Sequence, residues 1–359
     1  MRKVYLFRSV LIVLTLTFSS SVFAQRNVSG LIKAGPDDAT KLTAAYLNPL
    51  FKGLGVGLNS GWNNTAHSKN AGRFEFRLGI TGTFVPASDN QFDVTKIGLS
   101  SHVRPANPSE ILAPTLSANK SSGPQMDVYD DDNNKVESFT MPKGQNLPII
   151  PAPQLQATIG LPKGIDLSIR AVPKVNIGND FGSLSMFGAG AKVELIPLIA
   201  GKTIDKVIPV DIAVAFGYSQ FNYKLPLDVQ APSGSVPKDG NQNQDFSNQM
   251  IDATFSGMNA EAIISKKLLF FTPFLSVGYN TSKTKADMLG NYPVVTGGTL
   301  ISKTYTTFTD PVHLNRDDIQ GLKSTIGFQM NLAVLRLYGS YSVGEYNSAN
   351  VGIGIGLGK

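Results

Sequence analysis

The chain contains no cysteine. It therefore has no disulfide framework, no thiolate nucleophile and no cysteine-ligated zinc or iron–sulfur centre. Charge is scarce as well: Asp, Glu, Lys and Arg make up only 16% of 359 residues. Beyond residue 25 there is no long apolar run, which excludes a bundle of transmembrane helices. Disorder is excluded by the opposite property, since 42% of the residues are hydrophobic, with 20 Phe and 11 Tyr among them.

What is present begins with a leader. Arg2, Lys3 and Arg8 precede an apolar stretch over 10–18, and Val22 and Ala24 fit a cleavage site before Gln25. Residues 1–24 are read as a signal peptide, so the protein is exported. The formal charge of +6 includes the three positive residues of that leader, which carries no acid; about +3 remains on the mature chain. No stripe of Lys and Arg interleaved with aromatics occurs, and nucleic acid is not expected as a partner.

The dominant pattern is alternation with period two, in segments separated by Gly, Pro, Asn and Asp. In 74–84, Phe74, Phe76, Leu78, Ile80 and Phe84 fall on one face and Glu75, Arg77, Thr81 and Thr83 on the other. Ile165, Leu167 and Ile169 oppose Asp166, Ser168 and Arg170; Phe187, Ala189, Ala191 and Val193 oppose Gly188, Gly190, Lys192 and Glu194. Leu322 and Ile326 face away from Lys323 and Thr325, and Val351, Ile353, Ile355 and Leu357 away from Gly352, Gly354, Gly356 and Gly358. A soluble sandwich would carry rich charge on its outward face. An exported, alternating and weakly charged chain fits a barrel in the outer membrane of a Gram-negative bacterium, oily toward lipid and polar toward a lumen.

The expected fold is all-β: an antiparallel outer-membrane β-barrel of about twelve strands with a short N-terminal helical plug. The strands are placed at 53–62, 73–85, 92–103, 151–160, 165–176, 183–196, 209–222, 250–266, 269–284, 319–331, 334–345 and 350–358. Short connections at 86–91, 161–164, 197–208, 267–268 and 332–333 then share the periplasmic side. The long loops 104–150, 223–249 and 285–318 share the outer side. A slip of alternation near Gly257 to Asn259 reads as a bulge. A hairpin within 285–318 would give fourteen strands. The organisation is thus a signal peptide (1–24), a plug or hatch segment (25–52) and the barrel (53–359).

Inside the 104–150 loop, 126–129 and 136–139 flank a polar turn at 130–134, a hairpin. Asp130, Asp132 and Asn134 share the opening spacing of a calcium loop, but Lys135 stands where that loop needs Gly and no acidic twelfth ligand follows. No metal site is expected. Upstream, Asp37 and Asp38 can cap a helix with Leu42, Ala45, Tyr46 and Leu50 on one side. The glycine row of the last strand either leaves room for that helix inside the barrel or relaxes strand curvature. Trp62, Tyr218, Tyr279, Tyr338 and Tyr341 are candidates for an interfacial aromatic girdle.

Asp37-Asp38-Ala39, Tyr46, Asn48-Pro49-Leu50 and Leu54 resemble the N-terminal hatch of the long-chain fatty-acid transporter family of outer-membrane barrels, with Leu50 standing where that family has Ala in an Asn-Pro-Ala turn. A broader resemblance is to a group of Bacteroidota outer-membrane proteins to which no activity is attached. It rests on 46–50, 59–66, 153–162 and Ile169-Arg170 and spans most of the mature chain. The first resemblance implies a hatch built on Asp37, Asp38, Tyr46, Asn48 and Pro49.

The expected function is passive transport or binding of small hydrophobic compounds through a plugged lumen. The alternative is a non-transporting surface barrel whose loops bind an envelope or extracellular partner. Outer-membrane lipid is the expected neighbour, a small hydrophobic ligand is possible, and no protein partner is identifiable. Glu75, Arg77, Asp166, Arg170, Lys192, Glu194, Lys323 and Arg336 are placed on the lumen side, where they brace lumen and plug or touch substrate. His67, His102 and His313 stand apart, no motif singles out a catalytic Ser or Asp, and Gly352, Gly354 and Gly356 lie along a strand, not in a phosphate loop. Neither an enzyme nor a cofactor is expected.

Overall fold

A computed structural model describes residues 29–178, 182–199, 209–298 and 303–356. The signal peptide, Leu357, Gly358 and Lys359 lie outside the described residues. Ten antiparallel strands close into a barrel: β1 (Phe74–Phe84), β2 (Ile149–Leu161), β3 (Ile165–Gly178), β4 (Gly182–Glu194), β5 (Asp211–Pro226), β6 (Met250–Ser265), β7 (Phe271–Leu289), β8 (Val312–Leu332), β9 (Leu335–Val343) and β10 (Ser348–Gly356). Each strand pairs with the next, and β10 closes on β1, with Arg77 opposite Gly354. Closure leaves no terminal sheet edge. Among the described residues no helix is long and apolar enough to cross a membrane.

Ten strands replace the expected twelve because two of the alternating segments are something else. Residues 53–62 continue α1, the helix Pro36–Asn59, and leave it at Ser60. The alternation of Gly53, Gly55 and Gly57 with Leu54, Val56 and Leu58 imitates a strand, but it fits a helix squeezed from two sides. A Cβ at Gly53 or Gly57 would stand 2.6 Å from Ile150 or 2.3 Å from Ala152 on β2, and one at Gly55 would meet Ser282 on β7 at 2.1 Å. Residues 92–103 form no wall strand either: Val94 and Val103 are buried with Leu31, Leu42, Met126 and Phe139 in a core of the outer loops. Losing both strands reverses the direction of β1, so 86–91 joins the long-loop side. The side of every later connection is unchanged, with 85–148, 227–249 and 290–311 at one end. The hairpin expected in 285–318 exists as Asn291–Gly298 with Lys303–Thr309, but it pairs with Val236–Pro237 outside the wall and adds no barrel strand.

Along β5 to β8 the polarity of the outward face inverts at a common level. On β5 the outward residues run Ile212, Val214, Phe216 and Tyr218, then Gln220, Asn222 and Lys224; on β7 they run Leu275, Val277 and Tyr279, then Lys283, Lys285 and Asp287. The stretch from Phe271 to Tyr279, on a strand tilted about 40°, rises about 20 Å, close to the apolar band of an outer-membrane barrel. Beyond that level the outward face carries the Lys283–Asp317 pair (3.4 Å) and the His313–Asp287 pair (2.9 Å). Inside, Phe51, Phe255, Met288, Val312 and Leu314 form an apolar core. This inversion is what breaks the alternation near Gly257, where β6 keeps an unshifted register with both neighbours. The register slips instead opposite Ser282 and Lys283, between β7 and β8.

Candidate functional site

The lumen is occupied by the chain's own N-terminal segment. The outer half of α1 lies under the loops, its inner half descends between β2 and β7, and 60–73 continue through the lumen to the opposite end, where β1 starts. Asp37 and Asp38 occupy the first turn of α1, where negative charge suits the helix dipole. The N-cap itself is Gly35, with no side-chain cap bond, which corrects the expected capping. Asp38 instead accepts bonds from the N–H (2.9 Å) and hydroxyl (2.5 Å) of Ser100 in the outer loop. Tyr46 is fully buried and donates its hydroxyl to the Lys143 carbonyl at 2.8 Å. Asn48 and Pro49 lie within the helix, not in a turn, and Arg316 donates to the Asn48 side chain at 2.6 Å.

Below the helix end, the wall reaches inward for backbone carbonyls. Gln154 donates to Gly57 O (2.8 Å), Lys323 to Asn59 O (3.0 Å), and Arg170 to Leu58 O (3.0 Å) and Ser60 O (2.9 Å). Arg77 donates to the carbonyls of Gly61 and Trp62 and to Gln156. Lys192 holds Thr65 O (3.0 Å) and His67 O (2.8 Å) and pairs with Asp166 at 3.1 Å. The carboxylates take the donors of the same segment: Asp166 accepts from Lys69 N–H (2.9 Å), and Glu194 from the N–H (2.7 Å) and hydroxyl (2.5 Å) of Ser68. Glu75 pairs with Lys69 at 3.3 Å and with Arg336. All eight charged residues expected on the lumen side face inward, and each bonds the plug segment or a neighbour that does. Cations at the C-terminal end of a helix also satisfy its unpaired carbonyls and complement its dipole.

Trp62 is buried inside the barrel, not at the membrane interface, and so is Tyr338; both leave the girdle, whose remaining members Tyr218, Tyr279 and Tyr341 lie on the outward face. The indole sits where wall glycines on β4 and β5 make room: a Cβ at Gly190 or Gly217 would stand 2.8 or 2.6 Å from the ring. Arg170 covers it at 3.9 Å. The glycines of the last strand do not house the helix. Added Cβ atoms there would meet Tyr338 from Gly354 and Arg336 from Gly356, so these residues accommodate neighbouring side chains. Trp62, Gln154 and Gln156 escaped notice as site residues in the sequence. Their signal was present: glutamines at inward positions of β2, and glycines at inward positions of β4 and β5 facing a lone tryptophan.

At the far end, His67 Nδ1 stands 3.4 Å from both Glu194 and Asp211, the three donor atoms lying within 4.8 Å of one another. His102 and His313 lie in the outer loop region and at the outer end of β8. At the outer end, Glu137 joins three segments, bonding Lys303 at 2.9 Å and approaching Lys33 at 3.9 Å. Burial works against its charge, but the Lys303 ammonium and the Ser138 N–H hold its carboxyl below the usual range. In the 130–134 turn, Asp130 accepts from the N–H groups of Asp132 (3.1 Å) and Asn134 (2.8 Å), so that carboxylate orders the turn.

An apolar cavity of about 40 Å³ lies beside the plug at the outer half of the wall. Leu54 and Leu58 of α1 form one side; Ala152 of β2, Val172 of β3, Met186 of β4 and Phe221 of β5 are on the others.

The pattern of a family of unknown function (DUF6588) matches residues 1–357. No curated protein matches the chain. Among solved structures, the chain is similar to Ail, the attachment invasion locus protein of Yersinia pestis (9% identity, 80% of this chain and 100% of that one, TM-score 0.26). It is similar also to Neisserial surface protein A (9%, 79% and 96%, 0.25) and to the translocator domain of the autotransporter NalP from Neisseria meningitidis (9%, 89% and 97%, 0.29).

Proposed function

The chain belongs to that family of unknown function, and from its geometry we propose that it is an outer-membrane barrel that binds small hydrophobic compounds and passes them alongside a fixed plug. The observation that carries this reading is the apolar cavity between Leu54 and Leu58 of the plug and the wall residues Val172, Met186 and Phe221. Below it the wall side chains are polar and bond the plug segment, from Gly57 to Ser68. The outward apolar band, ending at Tyr218 and Tyr279, supports residence in the outer membrane with lipid as neighbour. The hatch-like sequence at 37–54 supports the same reading, because those residues belong to the plug. Its activity is non-catalytic and needs no cofactor.

The test is retention and flux with the purified full-length barrel. An environment-sensitive hydrophobic dye should be retained in detergent and cross into proteoliposomes, while small sugars should not. No retained dye and no flux would overturn the reading. A second reading, a surface barrel that binds a partner through its loops, is favoured by one feature: residues 85–148 carry their own apolar core and pack on the plug. Partner capture with no dye retention would establish it instead.

A further inference from the structure

Two carboxylates meet one imidazole where the plug segment leaves the barrel. Glu194 ends β4, Asp211 begins β5, and His67 belongs to the stretch 60–73 that crosses the lumen. Neither carboxylate pairs with a Lys or Arg among the described residues. The ammonium of Lys192, two residues before Glu194, is taken by Asp166 and by the carbonyls of Thr65 and His67. Like charges set side by side need a cation between them.

Serines set the direction of each carboxylate. Ser68 gives its N–H (2.7 Å) and its hydroxyl (2.5 Å) to Glu194 Oε2, and Ser265, at the end of β6, gives its hydroxyl to Asp211 Oδ2 at 3.5 Å. The remaining oxygens, Glu194 Oε1 and Asp211 Oδ1, both turn to His67 Nδ1. Glu194 is only 2% exposed, yet apart from His67 no group among the described residues reaches its Oε1. The imidazole is placed by its backbone: the His67 N–H donates to Thr65 Oγ1 at 3.1 Å, and its carbonyl accepts from Lys192 at 2.8 Å. The ring itself is half exposed, which leaves one side of the trio open to water.

Two cations fit such a place, a proton on His67 or a metal ion, and the distances separate them. A charge-assisted N–H···O bond closes to about 2.7–2.9 Å. Nδ1 stands 3.4 Å from both oxygens, beyond that range and equally far from each. Ligands held about 2.1 Å from a tetrahedral zinc ion stand about 3.4 Å from one another. The two carboxylate oxygens lie within 4.8 Å of each other, and the partly exposed Asp211 side chain is free to swing and close that third edge. The serine bonds match the outer-shell contacts that orient metal-binding carboxylates.

We propose that His67 Nδ1, Glu194 Oε1 and Asp211 Oδ1 bind one divalent transition-metal ion, with water completing its coordination on the exposed side. The imidazole selects zinc over calcium and magnesium, which take oxygen ligands. The ion ties the exit of the plug to β4 and β5, whatever the lumen binds.

The tag-free full-length barrel, stripped with a chelator in detergent, is given zinc chloride, gel-filtered and analysed for metal by mass spectrometry. The native protein should retain a single zinc ion, with X-ray absorption showing nitrogen and oxygen ligands at about 2.0–2.2 Å. Its thermal midpoint should rise with zinc concentration. His67→Ala and Asp211→Asn change exposed or partly exposed side chains, so both should fold, bind zinc about ten-fold or more weakly and lose the midpoint shift. His102→Ala and His313→Ala, whose rings each face one aspartate at the outer end, should keep the native affinity. No retained zinc in the native protein, unchanged retention in His67→Ala and Asp211→Asn, or displacement by millimolar calcium would overturn the site. Zinc held at these residues without any rise in the midpoint would overturn the tie between plug and wall.

Discussion

The guanidinium of Arg170 lies 3.9 Å from the ring of Trp62 while its N–H groups hold the carbonyls of Leu58 and Ser60, the last turn of the plug helix and the residue after it. One wall side chain thus fixes both the helix end and the chain that leaves it. Arg170→Ala would strand the buried Ser60 carbonyl, leave the Leu58 carbonyl only the Ser219 hydroxyl at 3.3 Å, and remove the cation from the indole face, a loss of about 2–5 kcal/mol. Denaturant unfolding of the detergent-solubilised barrel, followed by Trp62 fluorescence, should show an earlier transition with a red-shifted native spectrum. Arg170→Lys should recover part of it.

The glycine seat of that tryptophan gives a sharper test. Gly217→Ala places a methyl group 2.6 Å from the indole and should cost about 1–3 kcal/mol through overpacking. Gly321→Ala, on β8 with nothing within 4 Å, should leave thermal stability nearly unchanged. Equal effects at the two sites would show that Trp62 is not seated against β5.

Much of this was legible in the sequence, and what was not has a physical reason. Period-two alternation located β1 and the strands after it because one face of the closed wall is apolar and exposed and the other meets a polar interior. It misread 53–62 because a helix wedged in a barrel needs glycine on two opposed faces, and glycine alternating with Leu and Val looks like a strand. It misread 92–103 because loops that pack on a plug carry their own buried apolar residues. The charged lumen residues could be placed by parity, but their partners could not. Most of those partners are backbone groups of 58–69, carbonyls for the cations and N–H groups for Asp166 and Glu194, and backbone groups have no sequence signature.

The wedged helix makes a prediction opposite in sign to helix propensity. In an ordinary helix Gly→Ala stabilises by about 1 kcal/mol. Gly55→Ala would set its Cβ 2.1 Å from Ser282 Oγ, so here it should destabilise. Ser282→Gly in the same chain should restore stability, since both atoms of the obstruction belong to that side chain. A thermal series on the single and double variants measures the coupling.

The outer cap should weaken in acid. The Glu137 carboxyl is held below its ordinary value of 4.5 in the folded protein, so its contribution is fully present above that value and is lost as the pH falls through the lower folded-state pKa. Limited proteolysis of the outer loops should therefore accelerate on acidification below about pH 4.5. Glu137→Gln should be cut faster at neutral pH and show a flatter response to acid. An unchanged acid response in that variant would assign the effect to other carboxylates.

The proposed membrane level, drawn from the outward faces of β5 and β7, can be checked by charge insertion. Phe216 lies mid-band on the outward face, and Ser256 lies on the outward face of the adjoining strand above the inversion. Phe216→Arg should cost about 2–4 kcal/mol in a bilayer, whereas an outward arginine beyond the interface costs about 0–1. Folding titrations in phosphatidylcholine vesicles measure both. If Ser256→Arg were the more damaging, the water boundary would lie on the other side of Tyr218. If neither arginine mattered, the outward face would not be in lipid at all, and the apolar band from Ile212 to Tyr218 would need a protein partner to cover it.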